Sequence, residues 1–139
     1  MQKMFKIVVK VSFAATWLGL GSFFIAPVSL AAGGEAPDSK ICNDKENPPK
    51  DTVTQGGCIV IDRAKGNCNA CHQVPGIISG DIATRFENMA QRWPDKAKLR
   101  AQVFDASKAN PITVMPPFGK NQILTPDEID KVVEFILTL

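Results

Sequence analysis

The clearest apolar rhythm in the chain lies at its end. Ile129, Val132, Val133, Ile136 and Leu137 recur at helical spacing. Thr125-Pro126-Asp127-Glu128 in front of them is a capping box with proline in the first turn. This predicts an amphipathic terminal helix with one buried face. Residues 82–92 (IATRFENMAQR) and 94–108 (PDKAKLRAQVFDASK) read as two more helices. In the second, Pro94 fits a first-turn position, with Asp95 complementing the helix dipole. Ala97, Leu99, Ala101, Val103 and Phe104 supply its apolar positions; Lys96, Lys98, Arg100 and Lys108 give it a basic face expected to be solvated. Asn110-Pro111 ends it. Residues 54–65 are harder, because Ile59, Val60 and Ile61 are β-branched and lean to strand. Gly56 and Gly57 would let another backbone approach closely there.

The front of the chain has two other textures. Lys3, Lys6 and Lys10 precede an uncharged apolar run from Val11 to Ala26, followed by Pro27-Val28-Ser29-Leu30-Ala31-Ala32. That is the pattern of a secretory signal peptide over residues 1–32, with cleavage after Ala31 or Ala32. The alternative is an uncleaved membrane anchor, since uncharged residues continue to Gly34. Residues 33–50 are rich in Pro, Gly and charge and read as an extended arm, leaving residues 51–139 as one domain. Removing the leader changes the charge. The chain's 16 basic residues lose three lysines and the 14 acidic ones lose none, so the formal +2 becomes −1. No basic stripe with interleaved aromatics is present, which argues against nucleic acid as a partner.

The chemistry concentrates in Cys68-Asn69-Ala70-Cys71-His72. C-x-x-C-H is the attachment signature of a c-type haem. Two thiols one helical turn apart can add across both vinyl groups of one porphyrin edge, and the adjacent histidine is placed to ligate iron. Zinc would need a second close pair of Cys or His, and Cys42 and Cys58 are isolated. A redox C-x-x-C wants a βαβ context that is missing. The motif also argues that residues 54–65 are helical, because single-domain cytochromes enter it from an N-terminal helix, which the terminal helix should cross. Haem near the N-terminus of a four-to-five-helix chain excludes a cytochrome c′ bundle and predicts an all-α, class I cytochrome c-like domain around one covalently bound haem. Thioether-linked haem and an export leader together imply the periplasm. There, Cys42 and Cys58 are expected to pair, the other possibilities being free thiols or an intermolecular bond.

Axial ligation follows from the remaining donors. His72 is the chain's single histidine, so it serves as the first ligand, and the loop of residues 73–80 is expected to supply the carbonyl for its Nδ1 proton, with Pro75 the candidate. Met115, in Thr113-Val114-Met115-Pro116-Pro117-Phe118-Gly119, is the expected second ligand on a proline-stiffened loop. Met89, inside a predicted helix, reads as core filling.

Three phrases extend these observations: DRAKGNCNACHQVPG (62–76), RWPDKAKLRAQVFDASKANP (92–111) and MPPFGKNQILTPDEIDKVVEFILTL (115–139). In order and content the chain resembles SoxX, the mono-haem subunit family of the SoxAX cytochromes of sulfur oxidation. The resemblance implies covalent haem at Cys68 and Cys71, axial His72 and Met115, and a heterodimer with a SoxA-type cytochrome. It further implies an L-cysteine S-thiosulfotransferase that couples thiosulfate to the SoxY carrier cysteine of SoxYZ. The bond would form at the partner's haem, with no catalytic residue on this chain, which would pass electrons to a small periplasmic cytochrome. The alternative is a stand-alone periplasmic mono-haem electron carrier. One departure stands out. Where the family has a Gly-Pro-rich loop after the haem motif, this chain has Ser79-Gly80-Asp81-Ile82-Ala83 without proline.

Overall fold

The computed structural model describes residues 34–139. The leader expected over residues 1–32, with its cleavage after Ala31 or Ala32, lies outside the described residues. Five α-helices follow in order: α1 (Ser39–Asn43), α2 (Thr52–Ile61), α3 (Met89–Arg92), α4 (Lys96–Phe104) and α5 (Pro126–Ile136). Two 3-10 turns, Cys68–Ala70 and Ala106–Lys108, complete the regular structure. The described residues form no strand, and none of their helices is long and apolar enough to cross a membrane. This is an all-helical, class I cytochrome c-like domain.

The fold is built on the crossing of α2 and α5. In α5 the capping box closes as its sequence demands: Thr125 accepts from the Glu128 N–H and Glu128 from the Thr125 N–H. Ile129, Val132, Val133 and Phe135 are fully buried and Ile136 nearly so. Phe135 lies off the predicted stripe, and α2 explains why. A Cβ on Gly56 would lie 1.9 Å from the Lys131 carbonyl oxygen, and one on Gly57 would lie 3.0 Å from the Phe135 ring. The two glycines let the helices nearly touch and make room for an aromatic ring at their contact. They cost an isolated helix about 2 kcal/mol relative to alanine, while burying Val60 and Phe135 contributes about 4. Packing therefore overrides both the glycines and the β-branched run, and α2 is a helix. Asp51 caps its start by accepting from Thr54 N–H, and it stops at Ile61, earlier than residue 65, with Asp62 as C-cap.

Helix α4 docks on α5 through Leu99 and Val103. Its cap corrects the expectation for Pro94: Asp95 is the N-cap, accepting from Ala97 and Lys98, so Pro94 stands outside the helix. Its basic face is not simply solvated. Arg100 pairs with Asp130 at 2.6 Å, and Lys96 with Glu134, so two of its cations lie along α5. The helix ends at Phe104, where Asp105 leaves helical geometry and caps the following 3-10 turn.

Two other expectations change. The stretch read as an extended arm contains α1, and Cys42 on α1 is disulfide-bonded to Cys58 on α2. The helix expected over residues 82–92 shrinks to Met89–Arg92. Residues 82–88 run without helical structure, and Asn88 turns into α3 at φ 51°.

Candidate haem attachment site and axial ligands

The C-x-x-C-H motif sits in the turn leaving α2. Asn67, in the left-handed region at φ 47°, swings the chain away from the helix end. Cys68–Ala70 then winds as one 3-10 turn, with the N–H groups of Cys71 and His72 donating to the Cys68 carbonyl at 3.2 and 2.8 Å. This winding leaves Cys68 and Cys71 on adjacent turns as free thiols. Burial pushes the Cys68 thiol up to about 12.

The chain returns beneath the motif in extended form. Gly80, Ala83 and Phe86 donate their N–H groups to the carbonyls of Asn69, Cys71 and Gln73 at 2.8, 3.0 and 2.9 Å. A Cβ at Gly80 would lie 2.2 Å from the Ala70 carbonyl oxygen, so this approach admits no side chain. Held in this register, the strap aims the Thr84 carbonyl at His72 Nδ1, 2.7 Å away. The expectation for Pro75 is corrected: its carbonyl accepts from the Ala36 N–H at 2.8 Å and is engaged by the arm. Sequence reasoning missed Thr84 because it placed that residue inside a helix, where its carbonyl would bond along the helix axis.

The Nδ1 proton donated to Thr84 leaves Nε2 as the free lone pair, the tautomer a metal ligand needs. Burial lowers the His72 pKa, the Thr84 carbonyl opposes that shift, and the nearby Arg92 cation adds to it. The ring is thus neutral at neutral pH. Phe86 lies against its face, with ring centroids 4.5 Å apart and planes 24° from parallel.

Met115 is half-buried at the edge of the core, its N–H donating to Thr113 Oγ1 at 3.1 Å. The base of its loop is fixed to the end of α4. Gly119 and Lys120 donate to the Phe104 carbonyl, and a Cβ at Gly119 would strike the Phe104 ring at 2.0 Å. Phe118 is buried beside them. Asp105 is buried too, and its carboxyl is held below the usual range by the Ser107 hydroxyl and by Lys120, 3.7 Å away. The other methionine of the domain, Met89, is 3% exposed, and its sulfur accepts from Arg92 Nη1 at 3.3 Å. Of the two thioethers, Met115 is the one carried on an irregular loop with its residue partly open.

These residues fit a haem. Ile78, Ile82, Ile112 and Val114 are 96, 78, 89 and 91% exposed, and they lie on the two loops that carry the strap and Met115. Large apolar side chains so placed suit an apolar macrocycle seated between those loops. Among the described residues, no three His, Cys, Asp or Glu side chains converge as a metal cluster would require, which leaves zinc without a ligand set. The spacing of Cys68, Cys71 and His72 is that of a single covalently bound haem c.

Comparison with known proteins agrees. A family model described as cytochrome C oxidase, cbb3-type, subunit III matches residues 62–136. Among solved structures, SoxXA from P. pantotrophus is similar at a TM-score of 0.55 and 27% identity, covering 66% of this chain and 83% of that one. No curated protein matches the chain.

Proposed function

The chain belongs to the family described as cytochrome C oxidase, cbb3-type, subunit III, as a Sox-related c-type cytochrome domain, and on that premise we propose that it is a SoxX-type redox subunit. In this reading residues 1–32 are a leader and the protein works in the periplasm. Residues 33–50 form an arm stapled to the cytochrome domain of residues 51–139, and the partner is a SoxA-type cytochrome. The complex is an L-cysteine S-thiosulfotransferase. It joins thiosulfate to the thiol of the SoxY carrier cysteine in SoxYZ, releasing one proton and two electrons as the new sulfur–sulfur bond forms. The observation that carries this reading is the likeness to SoxXA at 27% identity over 66% of the chain.

Each residue of the site has a part. Cys68 and Cys71 hold the macrocycle covalently. His72 would ligate iron through Nε2 while its Nδ1 N–H donates to the Thr84 carbonyl. Met115 would be the second ligand, a thioether that favours reduced iron and raises the potential. Pro116 and Pro117 stiffen that loop and Asp105 with Lys120 anchors its base, which would hold the thioether in place. When bound, the haem supplies a one-electron ferric/ferrous couple. In this reading the chain is an electron outlet and the sulfur chemistry takes place on the partner.

The test is co-purification of the holoprotein with a SoxA-type partner, followed by thiosulfate- and SoxYZ-dependent reduction of a small c-type cytochrome. Both are expected. A holoprotein that elutes alone and supports no such reduction with partner added would leave a stand-alone carrier.

A further inference from the structure

A hydrogen bond through Nδ1 fixes one point of the His72 ring and leaves the ring free to swing about it. A second contact, on the face of the ring, is needed to set its plane. Phe86 supplies that contact, at a centroid distance of 4.5 Å in the offset-stacked range.

Phe86 is itself held from several sides. It is 5% exposed while Arg85 and Glu87 beside it are exposed. Its N–H donates to the Gln73 carbonyl at 2.9 Å, one residue past the histidine. Arg92 Nη1 donates to the Arg85 carbonyl at 2.7 Å and the Glu87 carbonyl at 3.4 Å, so one guanidinium pins the backbone on both sides of the ring. Outside the rim, Arg85 donates to the Gln73 side chain at 2.6 Å. Backbone pinned at 85 and 87, with the side chain sunk among Val74 and Met89, is a clamp and not a loose lid.

We propose that Phe86 is a positioning residue for the axial histidine: stacked on His72 and locked by Arg92, it sets the imidazole plane that the Thr84 carbonyl alone leaves free. The inference rests on His72 being an iron ligand. In a low-spin ferric haem, the plane of the axial imidazole orders the unpaired spin over the porphyrin. Where the Met115 methyl resonance is unchanged, so that the thioether side is as in wild type, the pattern of hyperfine-shifted haem methyl resonances reports that plane.

The experiment is NMR of the oxidised holoprotein carrying Phe86→Met, which keeps volume and removes the ring, and Phe86→Tyr, which keeps the ring. Phe86→Met is expected to reorder the methyl resonances and to let the His72 Nδ1 proton exchange about tenfold faster, because local opening governs exchange. Phe86→Tyr is expected to retain the wild-type pattern. Arg92→Met removes the donor to both carbonyls while keeping an unbranched side chain; it should shift the pattern in the same direction, and it serves as the test if Phe86→Met does not yield holoprotein. Phe135→Leu, in the core but away from His72, should lower stability with no change of pattern. Wild-type methyl order and proton exchange in Phe86→Met would overturn the proposal, as would the same reordering in Phe135→Leu. Absence of shifted His72 signals from the wild-type protein would instead remove the ligand reading beneath it.

Discussion

The α2–α5 crossing and the 80–86 strap both position the haem site, but by opposite physics. The crossing is held by side chains: a ring and four aliphatic groups, none with measurable exposure above 1%, sealed over two glycines. The strap is held by main chain, through three N–H groups given to the carbonyls of Asn69, Cys71 and Gln73 and a glycine pressed against that of Ala70. Side-chain burial is non-directional and adds up to stability. Backbone hydrogen bonds are directional and individually worth about 1 kcal/mol net, so they fix the register of the strap. One region makes the domain stable, and the other aims His72.

Substitutions can separate those roles. Phe135→Ala should have the largest effect on stability, lowering the unfolding free energy of the holoprotein by about 4 kcal/mol. Its visible spectrum before the denaturant transition should stay that of wild type; an altered spectrum would mean that the crossing also sets ligation. Reducing the Cys42–Cys58 bridge, which spans a 16-residue separation, should cost about 3 kcal/mol in the same titration. Gly80→Ala should cost about 2 kcal/mol, because the Cβ must displace the strap from Ala70. Unlike Phe135→Ala, it should also alter the spectrum, and a stability loss with no spectral change would erase the distinction drawn above. Met115→Ala is the converse case: within about 1 kcal/mol in stability, it should abolish the thioether charge-transfer band and lower the midpoint potential. If the band survives, the ligand is Met89.

The smallest expected effect is on pH dependence. The Lys65 ammonium, then the Thr125 N–H, hold the Glu128 carboxyl below its ordinary value of 4.5. Its folded pKa is depressed, so the stabilisation is present above the unfolded value and is lost as the pH falls through the folded one. Glu128→Gln should lower stability slightly at neutral pH, where the carboxylate is charged, and converge on wild type in acid, so that the profile flattens below about pH 4.5. Thermal melts of both proteins between pH 3 and 7 would measure it.

The same division explains what could be read from the sequence. Helix α5 was legible because its cap, proline and apolar spacing all agree. Helix α2 was legible only through the motif that follows it, since its composition favours strand. Cys68, Cys71 and His72 announce themselves by spacing, and the proposal for Met115 rests on its proline-stiffened loop. Thr84 and Phe86 did not. Ile82, Phe86 and Met89 are spaced four and three apart, as on a helix, yet Ile82 is 78% exposed while the other two are buried. The motif's own carbonyls compete for the N–H groups of this segment and win, which no local pattern can reveal. Thr84 contributes through its carbonyl, a group every residue has, so its identity carries almost no signal. The lack of proline in residues 79–83 was the one hint that the carbonyl would come from elsewhere.

The crossing of α2 and α5 has a consequence in time. The two helices are separated by about 65 residues, and closing such a loop must precede any gain from their contact. The domain cannot close until α5 is present to meet α2. Until then the motif is part of an open loop, and its thiols face solvent. The turn that carries Cys68, Cys71 and His72 starts where α2 ends, so its final placement waits on a contact between distant parts of the sequence.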